Sequence, residues 1–219
     1  ALCLHETSYS PFAESVTVFE RFLNEFPASP YAEQVNDYLV EVYMNTRSYE
    51  AALQSIAKIQ RPGARIMEAK QKILFHLGTQ AFANAKMNEA IDYFNESLAI
   101  GQYNASTKAD AFYWRGEANY RIGNYGGAYN DFRQHLNSAT DKSGQEYGLA
   151  LYSLGYTQFK QKNYNDALNW FVEYVNQADA SQKQMMADAY NRIGDCQFYV
   201  RGFDEARQNY AKALQLEPG

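Results

Sequence analysis

The side chains with the most chemical potential are three histidines, two cysteines and one glycine-rich turn, and none of them forms a reactive pattern. His5, His76 and His135 stand on different faces and in different segments, and no His-x3-His or His-Glu-x-x-His pair is present to hold a metal. Cys3 and Cys196 are far apart and belong to no CxxC or Cys/His cluster, so neither a zinc site nor a disulfide framework is signalled. Gly123-Asn124-Tyr125-Gly126-Gly127 lacks the Gly-Lys-Ser/Thr that a phosphate loop needs, and it reads as a turn. Trp114 and Trp170 neighbour apolar positions on helices, which ordinary burial explains better than sugar stacking. The expectation is a non-enzymatic chain with no catalytic residue, no metal and no cofactor.

Composition narrows the partners. Twenty Lys and Arg against twenty-five Asp and Glu give a net charge of −5, which disfavours nucleic acid and anionic lipid as sequence-independent partners. No apolar run reaches the roughly 18 to 20 residues that cross a bilayer. At 219 residues, 46% hydrophobic and 16% aromatic, the chain has ample material for a core.

What positions these residues is a repeat. Ala52, Ala90, Ala128, Ala167 and Ala206 recur at intervals of 38, 38, 39 and 39. Around each lies one pattern: Leu74, Leu77, Gly78 and Ala81 lead to Met87, Ala90 and Phe94, and Leu151, Leu154, Gly155 and Phe159 lead to Tyr164, Ala167 and Phe171. The copies at Gly116/Phe132 and Gly194/Tyr210 follow suit. Apolar spacing of three and four, a break at Asn or Gly, then resumed spacing predicts two antiparallel helices per copy. The glycines and alanines let the two backbones approach beside Phe94, Phe132, Phe171 and Tyr210. Extra polar residues between copies, at 137–144 and 177–184, carry Ser143/Glu146 and Ser181/Gln184 capping spacings, so each first helix is expected to be lengthened. Arg61-Pro62-Gly63 stops one copy, and the next helix is expected over about 64–85.

These residues resemble the tetratricopeptide consensus, apolar-x2-Leu-Gly followed by Ala-x3-Phe and a closing Pro, over essentially the whole chain and in a long-period, bacterial form. The resemblance implies an all-α fold, an α-α superhelix (solenoid) of antiparallel helix pairs in a single array. A partial repeat occupies 1–33, and repeats follow at 34–61, 62–104, 105–142, 143–180 and 181–219. Around Pro27-Ala28-Ser29-Pro30-Tyr31-Ala32 the wording resembles the periplasmic and outer-membrane-assembly branch, which favours that location over the cytoplasm. Extending the phase backwards places Ala1 inside a repeat, and no polar capping helix follows Leu216. Repeat arrays need capped ends. The expectation is a piece of a longer array, or else end-to-end self-association.

By resemblance, the opening helices line the inner face and hold a protein or peptide. The matching positions give Phe75; Tyr113, Glu117 and Arg121; Tyr152, Tyr156 and Lys160; and Asn191, Asp195 and Tyr199. Tyr113, Tyr152 and Tyr156 are expected at the surface rather than in the core. Met44, Phe82, Tyr120, Phe159 and Phe198 recur at a neighbouring position that packing between repeats explains equally well. The family's carboxylate clamp of Lys and Asn is absent, since Asp37, Phe75, Tyr113 and Tyr152 stand in its place. An apolar segment with basic character fits the aromatic, acidic face better. Two further readings stay open: a structural spacer stacking through its ends, and a carbohydrate-binding helical protein.

Overall fold

The computed structural model describes residues 14–46, 48–139, 142 and 144–217. Eleven helices lie among them: α1 (Glu14–Glu25), α2 (Ala32–Met44), α3 (Tyr49–Ile56), α4 (Ala64–Ala83), α5 (Met87–Ala99), α6 (Ala105–Arg121), α7 (Tyr125–Ser138), α8 (Gln145–Lys160), α9 (Tyr164–Gln177), α10 (Lys183–Tyr199) and α11 (Phe203–Leu216). No strand occurs among the described residues. The chain divides into two compact units, 1–108 and 109–219, and the division falls in the first turn of α6.

Within each unit the helices pair as the small residues dictate. Ala52, Ala90, Ala128 and Ala167 have no exposed surface, and Ala206 keeps 2%. Opposite them, the glycine of each first helix lies flat on the aromatic ring of the second. A methyl group added at Gly78 would stand 2.5 Å from Phe94, at Gly116 2.9 Å from Phe132, at Gly155 2.6 Å from Phe171, and at Gly194 2.6 Å from Tyr210. Such approaches are shorter than any carbon contact, so the ring occupies the volume that a side chain would need. The α2/α3 pair solves the same problem in reverse. Val40 holds the glycine position, and the second-helix position carries the smaller Ile56, with Val40 packed against the cluster that Ile56 belongs to. The second helix α1 follows the pattern too, with Ser15 at the alanine position and a fully buried Phe19 four residues on.

The turn inside each pair is set by hydrogen bonding at the helix end. Lys86, Asn124, Asn163 and Gly202 donate their backbone N–H to the carbonyls of Ala81, Asn119, Gln158 and Gln197, at 2.8 to 3.0 Å. This closing pattern requires a left-handed residue just before each donor. Gly123 supplies it freely at φ 82°, whereas Ala85, Lys162 and Arg201 adopt φ of 59°, 62° and 67° despite their side chains. The repeat geometry therefore overrides local preference at three turns out of four.

First helices are the longer ones. They run 20, 17, 16 and 17 residues in α4, α6, α8 and α10, against 13, 14, 14 and 14 in α5, α7, α9 and α11. The added turn of the long period thus resides in the first helix. Helix α4 starts after Gly63 as expected and ends two residues before the expected 85. One capping expectation fails: α10 has Gln182, not Ser181, at its N-cap position and no side-chain cap, while the Ser181 backbone N–H bonds the Asp179 carboxylate at 2.7 Å. Ser143, Cys3, His5 and Pro218 lie outside the described residues. Asn104 ties α4 to the start of α6, exchanging two bonds with Gln71 at 2.8 and 2.9 Å and accepting the Thr107 N–H at 2.9 Å.

Two buried carboxylates are paired with neighbouring donors. The Asp131 carboxylate, 4% exposed, accepts from Arg115 at 3.0 and 2.6 Å and from Asn119 at 3.0 Å. Glu20, also 4% exposed, accepts from the Ser55 hydroxyl, which in turn meets Tyr43 at 2.8 Å. Leaving any of these groups alone would cost about 1 to 3 kcal/mol.

Two outcomes follow from this packing. In urea titrations Gly155→Ala should lose about 1 to 3 kcal/mol by overpacking against Phe171, and adding Phe171→Ile should recover part of the loss by recreating the Val40/Ile56 solution. Equal stability of Gly155→Ala and the parent would show the ring contact to be soft. Cys196 has no exposed surface, and burial raises its thiol to about 12. A thiol reagent at mild pH should therefore label it only through local opening. Gly194→Ala, which loosens α10 from α11, should speed that labelling well before global unfolding.

Candidate functional site

In the second unit, the first helices α6, α8 and α10 present stripes spaced by four residues. Tyr113, Glu117 and Arg121 share one on α6, Tyr152, Tyr156 and Lys160 one on α8, and Asn191, Asp195 and Tyr199 one on α10. Their rings do not stand free. Tyr113 is half-buried, packed on Phe132 with centroids 5.7 Å apart and on His135 at 5.4 Å. Tyr152 meets Phe171 at 6.0 Å and Tyr174 at 5.2 Å, and Tyr156 stands edge-on to Phe171 at 5.3 Å. The expectation of a pure surface role for these three tyrosines is corrected accordingly: their rings close the core, and their hydroxyls mark its polar boundary. The cause is the flat seat of Phe132 and Phe171 against Gly116 and Gly155, which leaves one ring edge for a first-helix aromatic to cover.

The hydroxyls are spent on carboxylates of neighbouring helices. Tyr152 donates to Asp188 at 2.7 Å, Tyr156 donates to the same oxygen, and Ser153 donates to Glu117 at 2.9 Å. Burial, then the bond to Asp188, pushes the Tyr156 phenol up to about 12. Burial and the same carboxylate raise Tyr152 further, and burial with the Glu117 charge raises Tyr113. These phenols stay protonated donors across the physiological range.

Between α6 and α8 this arrangement leaves a cavity of about 310 Å³ lined by Glu117, Tyr120, Tyr152, Ser153 and Tyr156. A second, of about 320 Å³, lies between α10 and α11, lined by Gln184, Ala187, Asp188, Asn191, Ala213, Leu214 and Glu217. Asp188 thus serves both places, bonding the tyrosines of the first and lining the second. Arg192 stands beside it with Nε 3.8 Å from Asp188, its Nη1 paired to Asp195 at 2.7 Å, and its guanidinium over the Phe159 ring at 5.8 Å.

Of the sequence-derived site residues, Glu117, Tyr152 and Tyr156 converge on the first cavity, and Asn191 lines the second. The others are dispersed. Arg121 and Lys160 are exposed at the ends of α6 and α8. Asp195 accepts the Tyr210 hydroxyl at 2.8 Å, and Tyr199, 57% exposed, stacks on Tyr164 with centroids 4.2 Å apart. Phe75 belongs to the other unit, where it tilts onto Phe94 and His76, each at 5.9 Å. In the neighbouring series, Phe82 is buried, Tyr120 lines the cavity, and Phe198 is 55% exposed.

Ser153, Asp188 and Arg192 were not singled out by pattern. A signal for two of them exists, since the Ser153–Glu117 and Tyr152–Asp188 bonds both span 36 residues, just short of one period. His135 is only half satisfied, with Nδ1 2.9 Å from the Ala109 carbonyl and a buried Nε2 that has no partner. Among the described residues no three His, Cys, Asp or Glu side chains gather as a metal site. No helix among them is long and apolar enough to cross a membrane.

Comparison with known proteins agrees with this geometry. The tetratricopeptide repeat family model matches residues 187–219. No curated protein matches the chain in sequence. Among solved structures, MamA superposes with a TM-score of 0.59 at 19% identity, covering 82% of this chain and 94% of MamA. YrrB gives 0.58 at 18% identity, with 93% and 94% covered, and BtubC from P. vanneervenii gives 0.62 at 11% identity, with 93% and 87% covered. At these identities the likeness speaks for the fold, an all-α solenoid of helix pairs. Residues 187–219 thus match the tetratricopeptide repeat model, and the glycine–ring contact of that pair, Gly194 on Tyr210, recurs at Gly78, Gly116 and Gly155.

Proposed function

We propose that the chain is a non-catalytic scaffold that holds a polypeptide segment on its first helices, centred on α6, α8 and α10. The observation that carries this reading is the cavity walled by Tyr120, Tyr152 and Tyr156 with Glu117 at its edge. Aromatic walls give large contact area at small conformational cost, and rings already seated on Phe171 lose little freedom on binding. Support also comes from related folds. YrrB is described as a TPR protein with an unusual peptide-binding site, and a Rap protein of 15% identity and TM-score 0.53 is known in complex with the competence and sporulation factor.

Acidic groups and tyrosine oxygens dominate the face, and the second cavity adds Asp188 and Glu217 beside Leu214. The segment that fits is apolar with basic residues. A carboxylate terminus would find neither lysine nor asparagine at Phe75, Tyr113 or Tyr152. An acidic segment would meet the like charges of Glu117, Asp188 and Glu217.

The test is selection of random displayed peptides of about ten residues on the immobilised chain. Enriched peptides should carry Arg or Lys beside Leu, Ile or Phe. The best should bind about fivefold more weakly to Tyr156→Phe, which keeps the ring on Phe171 and removes one hydroxyl, in line with a hydrogen bond worth about 1 kcal/mol. Absence of enrichment over blank beads would defeat the scaffold reading.

A further inference from the structure

The cavity between α6 and α8 has a more specific chemistry than its aromatic character. Of the four hydroxyls in its lining, three have their hydrogens already committed. Tyr152 and Tyr156 give theirs to Asp188, and Ser153 gives its own to Glu117, at 2.7 Å and 2.9 Å for Tyr152 and Ser153. What remains towards the cavity is acceptor capacity: the lone pairs of these three hydroxyls and the carboxylate of Glu117. A carboxylate or phosphate placed there would meet the Glu117 charge with only the Tyr120 hydroxyl to donate to it. A group that only donates would be satisfied.

The charge points the same way. Glu117 forms no ion pair among the described residues. Asp188 has Arg192 as its nearest cation, at 3.8 Å, and that guanidinium is already paired to Asp195 at 2.7 Å. Two carboxylates therefore stand behind three phenol rings without a cation of their own at hydrogen-bond distance. The rings are set at angles to one another, with Tyr152 and Tyr156 5.0 Å apart at 62° and Tyr120 held edge-on to Tyr125 at 5.4 Å. Ring faces attract a cation, and the attraction grows where water is partly excluded. A volume of about 310 Å³ suits one long side chain and not a folded ligand.

We infer that this cavity is a cage for a guanidinium or ammonium group, and that it takes one arginine or lysine side chain of the bound segment. The assignment rests on the segment-binding reading above and names the residue that such a segment places at Glu117, Tyr120, Tyr152 and Tyr156. Because the tyrosines are braced on Phe171 and Tyr174, the cage stands preformed, so binding orders the incoming side chain and little else.

The test uses acetyl-Leu-Arg-Leu-amide and its citrulline counterpart, which match in shape and differ in charge. Ring-proton NMR signals of Tyr120, Tyr152 and Tyr156 should shift saturably with the arginine peptide, and the citrulline peptide should bind about tenfold more weakly, the factor expected of an ordinary cation–π and charge contribution. Added salt should narrow that difference. Glu117→Gln keeps an acceptor for Ser153 and should reduce the preference to about twofold, while Glu173→Gln, on the exposed side of α9, should leave it unchanged. Equal binding of the two peptides overturns the cage while leaving the segment reading intact, and so does a preference that survives Glu117→Gln. Binding of n-butylguanidinium as tight as that of the arginine peptide overturns the assignment to a segment side chain in favour of a small free cation. If neither peptide shifts these signals, the cage is wrong, and the displayed-peptide selection decides separately whether the scaffold reading falls with it.

Discussion

The structure depends on one steric bargain: a glycine on the first helix of a pair, with nothing beyond its Cα, and an aromatic ring on the second helix lying in the space so left. At Gly78, Gly116, Gly155 and Gly194 a single methyl group would collide with Phe94, Phe132, Phe171 and Tyr210. Because the ring lies flat on backbone, the two helices come close enough for the alanines at 90, 128, 167 and 206 to be sealed from solvent. The Val40/Ile56 pair shows that volume, and not the glycine as such, is conserved through the stack.

From that bargain the candidate site follows. A ring seated flat on a glycine turns one edge towards the neighbouring first-helix positions, and tyrosines at 113, 152 and 156 cover it. Their hydroxyls emerge where core meets solvent and bond to Asp188, while Ser153 bonds to Glu117 in the same band, so the polar face is built on the apolar one and inherits its rigidity. A tyrosine here cannot be divided into a core residue and a binding residue. Its ring stabilises the pair, and its oxygen sets the chemistry of the groove.

Hydrogen bonding between successive first helices also links one repeat to the next. Bonds from Ser153 to Glu117 and from Tyr152 to Asp188 repeat the same 36-residue step, and Arg192 extends the network to Asp195 and thence to Tyr210. In a chain whose repeats contact mainly their neighbours, such bonds add to the nearest-neighbour coupling that sets cooperativity. A segment engaging Glu117 and Tyr156 would thereby touch the coupling of three first helices at once.

The repeat itself was legible in the sequence, because helix pairing needs small and large residues at fixed offsets, and those offsets recur every 38 or 39 residues. The helix pairs and their Gly/Phe and Gly/Tyr partners could be read from periodicity, and the start of α4 and the lengthened first helices from the Pro62-Gly63 stop and the polar stretches between copies, all of them one-dimensional signals of local geometry. The cap at Ser181 was misread, because a Ser-x-x-Gln spacing is also compatible with Asp179 holding the turn. The site was only partly legible. Placing Tyr152 and Tyr156 on one stripe needs no more than the helical period, but their half-burial depends on where Phe171 presents its edge, and their union with Asp188 depends on how far successive first helices are offset. Pattern along one helix is set by bond geometry within it. Which hydroxyl meets which carboxylate between helices is decided by packing, and only the tertiary structure carries that distance.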